Sequence, residues 1–340
     1  MTTTAVPGLL AVMSRETWAD QFDRSRRTRL ERAARALGPT WAPHLDDPAA
    51  AAVLADVEVL ISSWGAPRLS AERLERMPRL TAVLHCAGSI RPLVSDAFWE
   101  RDILLSSAAD ANADPVAELT YAAIIMAGKK APFLAADARD RRAGSPDMFR
   151  FGPVGNAGLT VGIVGMSRIG RRVLARLIAR LEGVTCLVTD PLADAGEVAA
   201  AGGRLVELDE MLGSVDVLTV HAPELPQTRG MIGAPQLAAL RNHATVINTA
   251  RGALVDTRAL EDECRSGRLN AILDVTAPEP LPPGSALYEL PNVMITPHIA
   301  GSLGTERLRM SDSALDELDR LVAGEPLRHL VRREELAFVA

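Results

Sequence analysis

Short apolar runs alternate with amphipathic stretches along most of this 340-residue chain. In the first third, Gly8–Met13, Val57–Ser62 and Leu80–Cys86 are apolar enough to be strands buried on both faces. Between them, Arg15–Leu37, Pro48–Ala55 and Ser70–Met77 carry apolar residues three and four apart, the spacing of amphipathic helices. Ser70 stands where an N-cap belongs, with Glu72 and Glu75 in favourable dipole order behind it. One long apolar helix is expected from Asn112 to Met126, followed by an exposed, arginine-rich connector over Asp137–Phe151. The alternation then resumes with strand Thr160–Val164, helix Ile169–Leu181 and strand Val184–Thr189. Strands Val215–Thr219, Ala244–Asn248, Asn270–Leu273 and Val293–Thr296 follow, with helix Thr257–Ser266 among them and helix Thr305–Ala323 after them. Strand–helix alternation of this kind predicts an α/β protein whose parallel sheets are covered on both faces. No repeat of domain-building length and no low-complexity tract interrupts it.

Composition narrows the picture. The chain is long enough for two domains, and 48% apolar residues with only 4% aromatics suit aliphatic helices on parallel sheets. A net charge of −6 argues against a sequence-independent nucleic-acid binder. The densest basic cluster, Arg24 to Arg29, lies in a helical pattern and reads as a solvated face. Cys86, Cys186 and Cys264 are sparse and unpaired in sequence, as reduced core-filling thiols of a cytosolic protein would be. The first residues lack the basic and apolar regions of a signal peptide. Thr120–Met126 is stopped by Lys129 and Lys130 before reaching a membrane-spanning length.

The strand at Thr160–Val164 runs into Gly165-Met166-Ser167-Arg168-Ile169-Gly170, a G-x-G-x-x-G pattern with serine in the middle place. Gly165 permits the tight turn, and Gly170 permits close helix–strand packing. The middle position normally lets backbone approach a pyrophosphate at the helix N-terminus. Ser167 adds a Cβ there, and also a hydroxyl able to donate to a phosphate oxygen. Such a turn also occurs for packing alone. Asp190 closes the next strand about 20 residues on, where a carboxylate accepts from adenosine ribose hydroxyls or simply caps the strand. Pro191 and Leu192 follow it, with no cation for a 2′-phosphate, so NAD is favoured over NADP.

Three further segments fall at strand ends, where ligands of open α/β sheets collect. These are Asn248-Thr249-Ala250-Arg251-Gly252, Asp274-Val275-Thr276-Ala277-Pro278-Glu279-Pro280 and Thr296-Pro297-His298-Ile299-Ala300-Gly301. Hydride transfer to a 2-keto acid needs a fixed planar cation for the carboxylate and a proton donor for the carbonyl oxygen. Arg251 fits the first need and His298 the second, with Glu279 as a carboxylate to fix the imidazole. Singly, each has a plainer reading as a surface arginine or a core histidine.

Together these segments resemble the D-isomer-specific 2-hydroxyacid dehydrogenases, clearly from about Asn112 to Ser302 and weakly before. The resemblance implies two doubly wound parallel-sheet domains, a Rossmann cofactor domain (118–305) inserted in a flavodoxin-like substrate domain (1–117 and 306–340). It implies an active site in the cleft, closed by hinge motion, and a homodimer. Arg251 would bind substrate, His298 would be the acid/base and Glu279 its partner. The coenzyme set would be Gly165, Ser167, Arg168, Ile169, Gly170, Asp190, Pro223, Thr228, Thr249, Asp274 and Gly301, with Asp274 at the nicotinamide carboxamide. Asn112 would lie near substrate.

The family's glycine-rich substrate loop is altered here to Ala87-Gly88-Ser89-Ile90-Arg91-Pro92. Gly88 and Ser89 remain as backbone donors. Arg91 either reads an extra anionic group or faces solvent, and Trp64 either walls the pocket or packs. Glu279 stands where formate dehydrogenases carry glutamine, which argues against formate. No metal is called for. Two rival readings stay open: a non-catalytic NAD-sensing protein, and a dehydrogenase of a non-carbon acid such as phosphite.

Overall fold

A computed structural model describes residues 6–142 and 147–337. The chain divides into two compact units, 1–112 with 302–340, and 113–301. Among the described residues no helix is long and apolar enough to cross a membrane.

In the first unit, β1 (Gly8–Val12), β2 (Arg35–Ala42), β3 (Val59–Ser62), β4 (Ala82–His85) and β5 (Leu104–Ser107) form a parallel sheet. Their order, β2-β1-β3-β4-β5, is the flavodoxin-like one. Alternate residues feed opposite faces. Leu10, Leu60, Val83 and Leu105 pack with Leu54, Leu74 and Phe98 on one side. On the other, Leu9, Ile61 and Leu84 pack with Trp18, Phe22 and Leu30, and with Ala314, Leu315 and Leu318 of the helix Arg307–Val322.

The single helix expected over Arg15–Leu37 is instead two helices, Arg15–Gln21 and Arg24–Ala33, followed by β2. Ser14 caps the first through Thr17 N at 3.1 Å, and Asp23 restarts the second through Arg26 N at 2.9 Å. Beyond Ala34 the chain is extended, and pairing with β1 takes up its hydrogen bonds. The basic cluster is a solvated face at Arg24 and Arg27, which are exposed, but not at Arg26 and Arg29. Arg26 pairs with Asp23 and Asp312, and Arg29 with Asp316 and Asp319, so an ion-pair seam joins this helix to Arg307–Val322.

In the second unit, the long helix is Ala109–Gly128, begun in the first unit. The sheet comprises β6 (Thr160–Val164), β7 (Thr185–Thr189), β8 (Arg204–Leu205), β9 (Val217–Val220), β10 (Thr245–Asn248), β11 (Asn270–Leu273) and β12 (Val293–Ile295). All pairings are parallel, in the order β12-β11-β10-β9-β6-β7-β8. This is the Rossmann arrangement with one strand added at the edge, and the switch point falls between β6 and β9.

The stretch Asp137–Phe151 is exposed over 138–142 and 147–150, as expected of a connector, but its start is helical. A helix spans Ala131–Arg141, and Asp137 is buried because Arg141 (2.9 Å) and Arg150 neutralise it. Phe151 is buried against Phe133, their rings 5.9 Å apart. Residues 143–146 of that stretch lie outside the described residues. The three cysteines are buried free thiols, and burial pushes Cys186 and Cys264 up to about 12.

Candidate active site

The glycine turn is built as a cradle. Gly165 has φ +98°, and a Cβ there would lie 2.7 Å from Ala222 N. A Cβ on Gly170 would lie 2.1 Å from the Gly165 carbonyl oxygen, so both positions require glycine. Ser167 is the N-cap of helix Arg168–Arg180, its hydroxyl accepting from Gly170 N at 3.5 Å. Its own proton stays available to an acceptor. The first-turn N–H groups and the positive helix end make an anion site. These features fit a dinucleotide pyrophosphate. Arg168 is exposed at the turn, and Ile169 packs into the core below it.

Asp190 follows β7 and reaches back to that turn. It accepts from Met166 N at 2.6 Å and from Leu192 N at 2.8 Å. One carboxylate therefore ties the end of β7 to the phosphate-binding turn, a role invisible in the sequence. Beyond β9, Thr228 donates to the Pro223 carbonyl at 2.6 Å and accepts from Leu225 N at 2.8 Å, which closes the 223–228 loop. His221 is buried there beside Thr219, and burial pushes it down to about 3, so it is neutral.

After β10, Asn248 braces the turn that carries Arg251. Its Nδ2 donates to Arg251 O at 2.9 Å, and its Oδ1 accepts from Ala250 N at 3.1 Å. Arg251 spends Nη1 on the Ala250 carbonyl at 2.7 Å. Thr249 is buried, its hydroxyl 2.7 Å from that of Thr120. Thr120 gives its own proton to the Val116 carbonyl, so Thr249 is the donor of that pair. A Cβ on Gly252 would lie 2.0 Å from the Thr276 carbonyl carbon, so the loops after β10 and β11 touch backbone to backbone.

The last loop is organised by Asp274, which is 3% exposed. Its Oδ1 accepts from Thr296 Oγ1 (2.6 Å) and Ile299 N (2.8 Å), and its Oδ2 from Ala300 N (2.9 Å). His298 is held in this loop with φ 54°, uncommon outside glycine. Its amide donates to the Asp274 carbonyl at 2.9 Å. Its Nδ1 lies 2.7 Å from Glu279 Oε1, and both side chains are about half exposed. A carboxylate at that distance keeps the proton on Nδ1, leaving Nε2 to exchange a proton. The pair lines a cavity of ≈ 560 Å³ floored by Leu281, Leu287 and Ile295. Gly301 ends this unit.

The four residues expected to bind substrate belong to the first unit. Gly88 packs on Asn112, whose Oδ1 accepts from Ser302 N at 2.8 Å. Ser89 is hydrogen-bonded through its backbone to His85, which burial pushes down to about 4. Arg91 is exposed and donates to the Leu336 carbonyl. Sequence reasoning missed Gly252, Thr120 and Thr296 as supports. Of these Thr296 and Gly252 carried a signal, their places in the segments that bear His298 and Arg251.

Comparison with known proteins follows the same outline. Residues 121–300 match the model of the D-isomer specific 2-hydroxyacid dehydrogenase, NAD binding domain. The chain belongs to this family. A glyoxylate reductase from Aeropyrum pernix is 31% identical over 275 residues, 78% of this chain and 81% of that protein. A D-3-phosphoglycerate dehydrogenase from Archaeoglobus fulgidus is 31% identical over 265 residues, 78% of this chain and 49% of that one. The chain thus spans about half the length of the phosphoglycerate dehydrogenases it matches. The TT0316 protein of Thermus thermophilus superposes with a TM-score of 0.72 at 30% identity, covering 95% of this chain and 100% of that one. A phosphoglycerate oxidoreductase from Rhizobium etli shares the fold, with a TM-score of 0.81 at 22% identity over 97% and 99% of the two chains. In this family member, residues 121–300 are the NAD-binding part.

Proposed function

We propose that this chain is an NAD-dependent oxidoreductase that moves a hydride between the coenzyme and C2 of a small 2-hydroxy or 2-keto acid. The observation that carries the proposal is the His298–Glu279 contact of 2.7 Å on the sheet rim that also bears Arg251. The nicotinamide supplies the hydride for reduction and accepts it in oxidation. The Gly165–Gly170 turn would hold the pyrophosphate, Asp190 the adenosine ribose, and Thr249 and Asp274 the nicotinamide. Pro223, Thr228 and Gly301 line the groove.

Arg251 grips the acid's carboxylate and polarises the C2 carbonyl. As hydride reaches C2, protonated His298 gives its Nε2 proton to the C2 oxygen. In oxidation, neutral His298 takes that proton back. Glu279 holds the ring's tautomer and stabilises the imidazolium. Gly88, Ser89 and Asn112 keep their assignment as acid-binding residues. The reading further has the protein acting as a homodimer in the cytosol.

The test is NADH oxidation, followed by absorbance, with glyoxylate, hydroxypyruvate, pyruvate, branched, aromatic and dianionic 2-keto acids. Consumption with one of them supports the proposal. Measurable NADH binding with no consumption across the panel overturns it.

A further inference from the structure

The loop after β4 departs from the family's glycine-rich pattern at Ile90 and Arg91, and one stretch of chain takes up both departures. Ile90 is 2% exposed and shares a core cluster with Leu93, Val94 and Val331, against which Leu336 packs. Its carbonyl accepts from Leu93 N at 2.9 Å and from Val94 N at 3.1 Å, which winds the loop into a turn. Arg91 donates to the Leu336 carbonyl. A glycine at position 90 would supply no side chain to this core.

Val331 and Leu336 both belong to 328–337, which follows the helix Arg307–Val322 and is fastened along its length. Glu317, on that helix, is 2% exposed, and its carboxylate faces the backbone of this stretch. It accepts from Arg328 N at 3.1 and 3.0 Å and from His329 N at 2.9 Å. A buried carboxylate is costly unless hydrogen-bonded, and bonds from amides to a carboxylate are the stronger kind. Glu317 therefore grips the chain where the stretch begins. Val331 N then donates to the Leu105 carbonyl at 2.7 Å, and Leu330 bridges antiparallel to Ser106, which covers the outer edge of β5. Arg333 pairs with Asp96 at 2.9 Å. The last hold is the Arg91–Leu336 bond, beside Gly88 and Ser89.

We propose that 328–337 is a strap that sets the position of the Gly88–Ser89 backbone for the acid's carboxylate, with Glu317 and Arg91 as positioning residues at its two ends. The inference rests on the dehydrogenase reading above. All its parts belong to the first unit. The loop gives up the freedom of a glycine at position 90 and is held from outside instead.

The test compares KM and kcat for the best-reduced acid of the panel above in the unmodified protein, R91A, E317Q and the double variant. R91A should raise KM by about fivefold, the size of one hydrogen bond, with kcat and NADH affinity within about twofold. E317Q, on the helix rather than the loop, should do the same. The double variant should match either single change, because both release one strap, whereas independent effects multiply. R91K, which keeps a donor for the Leu336 carbonyl, should recover most of the loss. An unchanged KM in either single variant, multiplied losses in the double variant, or an R91K no better than R91A would overturn the strap. If no acid is reduced, the dehydrogenase reading fails. In that case, or if E317Q does not fold, the strap is judged by hydrogen exchange in R91A. Exchange over 328–331 faster by about tenfold supports it, and exchange equal to that of the unmodified protein refutes it.

Discussion

Thr296 and Asp274 are joined by a hydroxyl–carboxylate hydrogen bond of 2.6 Å, and the same carboxylate gathers the amides of Ile299 and Ala300. Between those contacts sits His298 in its left-handed conformation. The histidine is thus oriented by a residue two positions before it acting through the end of a neighbouring strand. Thr296→Val keeps the shape and removes the donor. It should cost about 1 kcal/mol in urea unfolding and lower kcat more than it raises KM. Unchanged kcat would show that Asp274 holds the loop without Thr296.

His298→Ala removes the group placed to exchange the substrate proton. Turnover should fall by about two to four orders of magnitude, while NADH affinity, read by fluorescence titration, stays close to that of the unmodified protein. Glu279→Gln should lie between the two. Near-normal turnover in His298→Ala would remove it from the mechanism.

Asp190 carries two tasks that one substitution separates. Asp190→Ala should narrow the preference for NADH over NADPH, measured as the ratio of kcat/KM. Because Met166 N loses its acceptor, NADH affinity should also weaken by about tenfold, the size of one charge-assisted hydrogen bond. Identical kinetics with both coenzymes before and after the change would sink its role in coenzyme choice.

Gly252→Ala drives a Cβ into the Thr276 carbonyl. Overpacking of this kind costs about 1–3 kcal/mol, and the displaced Arg251 should lose its grip on the acid. A lower Tm together with a raised KM is expected. A variant matching the unmodified protein in both would mean that the two loops part freely.

His85 and His221 are buried neutral, pushed down to about 4 and about 3 by burial. Unfolded, each titrates near 6.5. Below that value the unfolded chain takes up protons that the folded chain refuses, so stability falls with pH. The window runs from about 6.5 to about 4 for His85 and to about 3 for His221. Each contributes at most about 1.4 kcal/mol per pH unit. Urea unfolding between neutral and mildly acidic pH should show a shallower loss in His221→Gln than in the unmodified protein. Parallel curves would place the acid sensitivity elsewhere.

Much of the second unit was legible because its central strands are buried on both faces and read as continuous apolar runs. β6 and β11 have the bounds that the pattern predicts. The edges were harder. β2 contains Gly38 and Pro39, pairs only with β1 and shifts register midway, so its sequence carries little strand signal. β8 is two residues long and β5 ends in two serines. At the site, the groups that would do chemistry stood out by residue type and spacing. Their supports did not, since the Asp190–Met166, Gly252–Thr276 and Thr120–Thr249 contacts join positions up to 129 residues apart.

The first unit is assembled from the segments before and after residues 113–301, and the ion pairs from Arg26 and Arg29 to Asp312, Asp316 and Asp319 fasten one to the other. Synthesis delivers those segments before and after residues 113–301. The 113–301 unit is complete in sequence while the early sheet still lacks Leu315 and Leu318 on one face. Domains fold as units as they emerge, so the order of assembly inverts the order of synthesis: the inserted unit closes first, and the segment made before it waits for its cover.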